Sequence, residues 1–187
     1  MSTASLAATL EDLALVEGKA ELVGGRIIRY MPTGDVPSEI AFEIAVSLRA
    51  HAKRTGVGIA YGDGVGYAIR PPLPSGRQSF CPDASYHVGP RASNPMRFLD
   101  GAPIFAVEVR SEGDYGPAAE AEMAAKRADY FAAGTRVVWD VNPVAGTIAV
   151  YRANFPGWPA ISGRGAAADA EPAVRGWDLP LDTIFTR

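Results

Sequence analysis

One six-residue run constrains the fold of this chain more than any other feature. Ile104-Phe105-Ala106-Val107-Glu108-Val109 has the length of a strand and is apolar except for a single carboxylate. A continuous apolar run of that length marks a strand covered on both faces, central in its sheet. Glu108 is costly in such a strand unless it is paired, binds a metal, or sits at the sheet's open end. The run therefore predicts a layered fold and a place where that fold does something with a charge.

The flanking sequence supplies the layers. Ala118 to Ala133 is rich in Ala, Glu and Lys, lacks Gly and Pro, and ends on Gly134, which predicts a helix with a glycine stop. Val137 to Val141 reads as a strand stopped by Asn142-Pro143, and Thr147 to Tyr151 completes a hairpin. Upstream, Gly24-Gly25 sits between Ala20–Val23 and Arg26–Tyr30 as a two-residue hairpin turn. A helix is predicted from Ser38, with Ile40, Ile44 and Leu48 as its stripe and Phe42 and Val46 widening it. Two strands are expected around Tyr61-Gly62-Asp63-Gly64, and another from Asp83 to Val88. Residues 1–12, Arg70 to Gly76, Gly89 to Asp100 and Pro156 to Pro172 read as loops, and Leu179 to Phe185 as a terminal segment packing back. The order predicts one α/β domain over residues 1–187, a mixed sheet flanked by helices.

Length and charge narrow the function classes. A chain of 187 residues suits one domain. Its 18 Lys+Arg against 21 Asp+Glu give a net charge of -3, which argues against a broad basic face for polyanions. A compact site that grips phosphate through a metal ion is still compatible with that charge. No window of about 18 apolar residues is present, and the N-terminal segment lacks a signal peptide's basic flank, so no membrane association is expected. The single cysteine, Cys81, permits no internal disulfide and suits a cytoplasmic location.

Several motifs dissolve on inspection. Gly62-Asp63-Gly64-Val65-Gly66 resembles a phosphate loop only superficially, because strand-like Tyr67-Ala68-Ile69 follows it where a helix is needed. His51 and His87 have no Cys/His cluster around them, and Cys81 reads as a small buried hydrophobe rather than a thiol nucleophile. Asp83, Glu108 and Lys126 remain. Two carboxylates on neighbouring strands with a nearby lysine would supply oxygen ligands for Mg²⁺ and a cation to orient a nucleophilic water. The plain alternative has Asp83 capping a turn and Glu108 paired with Arg110 or Lys126.

Glu21-Leu22-Val23-Gly24-Gly25-Arg26-Ile27, Met31-Pro32-Thr33-Gly34, Pro82-Asp83 and Val107-Glu108-Val109-Arg110-Ser111 recur in one family pattern. So do the helix segment Lys126 to Gly134, Val138-Trp139-Asp140-Val141-Asn142-Pro143 and Val150-Tyr151-Arg152. In this order and spacing they resemble the Uma-two-like restriction endonuclease family of the PD-(D/E)XK nuclease superfamily, over most of residues 20–152. The resemblance implies a restriction-endonuclease-like fold and metal-dependent phosphodiester hydrolysis of nucleic acid, DNA by preference. It makes Asp83 and Glu108 metal-binding acids, with the Val109 carbonyl beside them and Mg²⁺ or Mn²⁺ as the cofactor. It makes Lys126 the catalytic lysine, moved to the helix, since Arg110 stands where a literal Glu-X-Lys would place it. Glu21 matches an N-terminal acid that completes the site, its alternative being a hairpin residue in water. A homodimer is implied as well, because nucleases of this kind pair subunits to cut two strands. Two other readings stay open: a catalytically inactive binding module with the nuclease fold, and a metal-dependent hydrolase of a small ligand.

Overall fold

The strand carrying Glu108 lies fourth of six in the main sheet, away from either edge, as its composition demands. The computed structural model describes residues 7–186. In chain order the elements are α1 (Leu10–Leu13), β1 (Ala20–Val23), β2 (Arg26–Arg29), α2 (Asp35–Thr55), β3 (Ile59–Tyr61), β4 (Tyr67–Ala68), β5 (Ser79–Phe80) and β6 (Ala84–His87). There follow β7 (Leu99–Asp100), β8 (Phe105–Val109), α3 (Pro117–Ala132), β9 (Val137–Asn142), β10 (Thr147–Arg152), β11 (Phe155–Gly163), β12 (Ala167–Asp169) and β13 (Asp178–Pro180). The main sheet runs β11-β10-β9-β8-β6-β3. Its single parallel pair is β8–β9, bridged by α3 because a parallel connection must cross back over the sheet. Small sheets β1-β2, β5-β4-β7 and β12-β13 border it.

The period of two along a strand sorts the side chains into two layers. Phe105, Val107 and Val109 of β8, with Val137, Trp139 and Val141 of β9, join Ile40, Ile44 and Leu48 of α2 in one core. Trp177, Leu179, Leu181 and Phe185 close that core from the C-terminal end, Trp139 and Trp177 stacking with ring centroids 5.0 Å apart. On the opposite face, Ala106 and Val138 pack with Tyr130 of α3, Tyr67 and Phe80. Glu108 and Asp140 are register partners on that second face. α3 therefore lies across the two acids that interrupt the central strands.

The structure corrects several expectations. α2 begins at Asp35 behind Gly34, three residues before Ser38, and Pro37 is tolerated because first-turn amides need no helical acceptor. Phe42 and Val46 do not widen the buried stripe. They are 66% and 46% exposed, since the sheet covers only the Ile40-Ile44-Leu48 side. Residues 10–12 belong to α1, where Thr9 and Asp12 form a capping box. The strands around Gly62–Gly64 end in different sheets, β3 in the main one and β4 in the small one. The span expected as a loop from Pro156 to Pro172 contains most of β11 and all of β12. Pro156 and Pro159 fit there because β11 is an edge strand whose outer amides need no partner. The loop read from Gly89 to Asp100 ends in β7, and β5 was not foreseen.

Candidate active site

The site forms where the N-terminal hairpin meets the open ends of β6 and β8. Hairpin β1–β2 turns at Gly24 and Gly25, both at positive φ, and docks on β5: the Gln78 amide donates to the Leu22 carbonyl and the Leu22 amide to Ser79 Oγ. Docking buries Glu21 completely. Its exposed-hairpin alternative is thereby overturned.

Glu21 has no acceptor capacity left over. Oε1 accepts from the Cys81 amide at 2.9 Å and from Lys126 Nζ at 2.9 Å. Oε2 accepts from the Tyr30 hydroxyl at 2.9 Å and from the Arg77 guanidinium. A carboxylate offers about four lone-pair positions, so four donors saturate it. Burial alone would push this carboxyl up, but Lys126 and Arg77 outweigh burial and hold it at about 2. Arg77 also binds Asp129 of α3 at 2.8 Å, tying the hairpin to the helix that carries Lys126.

Glu108 is differently placed. Oε1 accepts from the Tyr130 hydroxyl at 2.7 Å and Oε2 from Lys126 Nζ at 2.9 Å. Two acceptor positions stay open, and 20% of the side chain reaches solvent. Burial raises its carboxyl above the ordinary range; Lys126 opposes that rise, while Asp83 and Glu21 add to it. Lys126 sits between the acids, 2.9 Å from each. Burial disfavours its ammonium, yet Glu108 and Glu21 outweigh this and raise it well above its usual value. Lys126 and Tyr130, one helical turn apart, both reach Glu108, so the face they share turns toward the strand. Glu122 is not the partner of Lys126.

Asp83 precedes β6 and extends its ladder. Its amide donates to the Val107 carbonyl at 3.0 Å, and its Oδ2 accepts from the Val109 amide at 2.7 Å. The turn-capping alternative is not what forms: the amide that Asp83 accepts from belongs to the neighbouring strand β8. The other oxygen, Oδ1, meets Lys19 Nζ, which also lies 2.9 Å from Asp63 Oδ1. Burial disfavours the Lys19 ammonium, but Asp83 and Glu108 reverse that and raise it.

Arg110 is not available to the site. Its guanidinium is consumed by Asp140 and Glu120, and Arg127 adds a second contact to Asp140. Asp140 thus anchors α3 to the sheet. Cys81 contributes its backbone amide only, and burial pushes its thiol up to about 11, too high for a nucleophile. His51 contacts Arg54, and His87 contacts the Pro90 carbonyl, both away from these acids. Among the described residues no three His, Cys, Asp or Glu side chains form a ready metal cage. The arrangement offers instead two half-satisfied carboxylates, Asp83 and Glu108, which is a donor set suited to Mg²⁺ that keeps most of its waters.

Sequence reasoning missed Lys19, Tyr30 and Arg77. Lys19 and Glu21 are two apart on one strand path, and Lys19 lies opposite Tyr30. The period of two therefore carried a signal for both. Arg77 had none, because it follows a proline-rich loop.

A family model described as "Uma2: Putative restriction endonuclease" matches residues 8–182. The fold is similar to that of a crystal structure described as a putative nuclease belonging to DUF820 from Anabaena variabilis ATCC 29413. The TM-score is 0.73 at 19% identity, over 95% of this chain and 97% of that one. The likeness shows the restriction-endonuclease-like α/β fold. No curated protein matches the sequence. This chain belongs to the Uma2 family.

Proposed function

We propose that this Uma2-family protein is a metal-dependent endonuclease that hydrolyses phosphodiester bonds, with DNA as its substrate. The observation that carries the reading is the pair Asp83 and Glu108, with one partner on each oxygen where Glu21 has two, beside a lysine fixed between Glu21 and Glu108. Asp83 and Glu108 would hold Mg²⁺ or Mn²⁺, with the Val109 carbonyl at the same strand end. Such an ion, when bound, polarises a phosphate and lowers the pKa of its water. Lys126 holds a positive charge beside Glu108, where it orients a water and offsets negative charge developing on the phosphate. Glu21 acts through Lys126: saturated by four donors, it fixes the ammonium in place rather than binding a ligand. Tyr130 fixes the other oxygen of Glu108. A homodimer would present two such sites to two strands.

Incubation of purified protein with supercoiled plasmid tests the reading. Cleavage should require Mg²⁺ or Mn²⁺, stop in EDTA, and be lost in Glu108→Gln and Lys126→Met. If no cleavage occurs with either metal on duplex or single strands, the enzyme reading gives way to a binding module. Metal-dependent turnover of small phosphate esters alone would favour the small-ligand hydrolase.

A further inference from the structure

Lys19 occupies the oxygen a ligand would need. Asp83 Oδ2 is committed to the Val109 amide, which leaves Oδ1, and Lys19 Nζ is bonded to Oδ1. The same ammonium has a second partner in Asp63, at 2.9 Å. Asp63 sits in the Gly62-Asp63-Gly64 turn and lines two adjoining cavities of about 430 and 310 Å³. Lys19 lines the larger and Asp83 the smaller, so their contact stands at the partition between the two.

The two lysines of the site differ in what each can do. Lys126 is pinned between Glu21 and Glu108, and moving it would unpair a fully buried carboxylate. Lys19 has an alternative: Asp63 is 55% exposed and can keep the ammonium in contact with solvent. An ammonium on a four-carbon stem is a mobile point charge, able to exchange one carboxylate for the other by side-chain rotation alone. Resting on the proposed metal-dependent reading, we propose that Lys19 is a resident cation of the acid pair. It neutralises Asp83 while the metal is absent, gives Asp83 up to a divalent cation, and retains Asp63 as its partner. Lys19 then competes with the metal, and Asp63 eases that competition by offering the ammonium another place. Lys19 is a positioning residue, not a catalytic one.

The competition predicts opposite signs for two substitutions, which shared structural damage would not produce. Mn²⁺ binding to the full chain, read by electron paramagnetic resonance of the free ion without substrate, measures it directly. Lys19→Met should bind Mn²⁺ about tenfold more tightly, the scale at which groups touching metal ligands act. Asp63→Asn should bind more weakly, because Lys19 then has only Asp83. In the double variant the Asp63→Asn effect should shrink, since part of it acts through Lys19. If Lys19→Met does not fold, Lys19→Gln, which keeps a neutral donor, must show the same tightening. Unchanged or weaker Mn²⁺ binding in the Lys19 variants, with Asp83→Asn abolishing binding, overturns the proposal and leaves the metal reading intact. Mn²⁺ binding untouched by both Asp83→Asn and Glu108→Gln removes the metal reading and the proposal together.

Discussion

Lys126→Met removes the cation shared by Glu21 and Glu108 while keeping a side chain of similar length and apolar character. Both contacts are 2.9 Å, and only 14% of the lysine side chain is exposed. Deleting one partner of a buried ion pair costs about 3–5 kcal/mol, because the remaining charge is left without compensation. Here two acids lose one partner, so the cost depends on whether both stay ionised. Glu21 keeps Arg77, the Tyr30 hydroxyl and the Cys81 amide, and stays charged. Glu108 keeps only Tyr130 and takes up a proton more readily. A carboxyl whose folded pKa is raised binds more protons folded than unfolded, so stability falls as pH rises through that window. The wild-type lysine, raised above its usual value, stays charged throughout this range.

Urea denaturation in EDTA at pH 5.5 and pH 8 separates the terms. The variant should lose about 3–5 kcal/mol at pH 8 and clearly less at pH 5.5, each pH unit of carboxyl titration being worth about 1.4 kcal/mol. At this chain length about 1 kcal/mol moves the melting temperature by ~2–4 °C, so the loss at pH 8 should exceed about 6 °C. A loss below about 1 kcal/mol at pH 8, the range of an exposed pair, would refute the reasoning. So would a loss that does not change with pH.

Tyr130→Phe keeps the stack on Phe80, where centroids lie 4.0 Å apart, but removes the hydroxyl from Glu108. It should cost about 1.5–3 kcal/mol in urea and move the Glu108 carboxyl further up in an NMR titration. Glu21, held at about 2 against an ordinary 4.5, contributes stability that is present above about pH 4.5 and lost as pH falls toward 2. That acid limb, on the order of 3 kcal/mol, should be missing from Glu21→Gln in acid unfolding followed by circular dichroism. Ile44→Ala should cost about 2–5 kcal/mol in the same assay, whereas Phe42→Ser on the exposed side of α2 should cost under about 0.5 kcal/mol. Binding of a fluorescent duplex, read by anisotropy, should be weak in EDTA and markedly tighter in Ca²⁺. Equal affinity in both would contradict a metal-bridged phosphate.

Sequence pattern reached as far as periodicity and charge contrast allow. β8 and α3 were legible because each is long and internally consistent, and Glu108 because a single acid in an apolar run has few places to go. β11 was illegible because Pro156, Gly157 and Pro159 are loop residues anywhere except an edge. The two-residue strands β5 and β7 are fixed by their neighbours rather than by their own composition. In the site, Lys126 was legible through the resemblance. The partnership of Arg77 with Glu21 was not, because it links residues 56 apart through a loop with no period.

Those unforeseen partners decide the electrostatics. Two groups of ion pairs meet where Asp83 faces Glu108: Asp63–Lys19–Asp83 on one side, and Asp129–Arg77–Glu21–Lys126–Glu108 on the other. Five carboxylates face three cations, so with every acid ionised the cluster is short by two positive charges. Burial is the main reason that the Glu108 carboxyl is raised although it touches a lysine, and the surplus negative charge of Asp83 and Glu21 adds to it. A divalent cation at Asp83 and Glu108 would cancel the deficit, and the raised carboxyl would then return toward its ionised form. A phosphate arriving alone would meet a cluster already negative and be repelled. The charge balance therefore couples the two ligands: the acids that repel a phosphodiester are the ones that would hold the ion able to attract it.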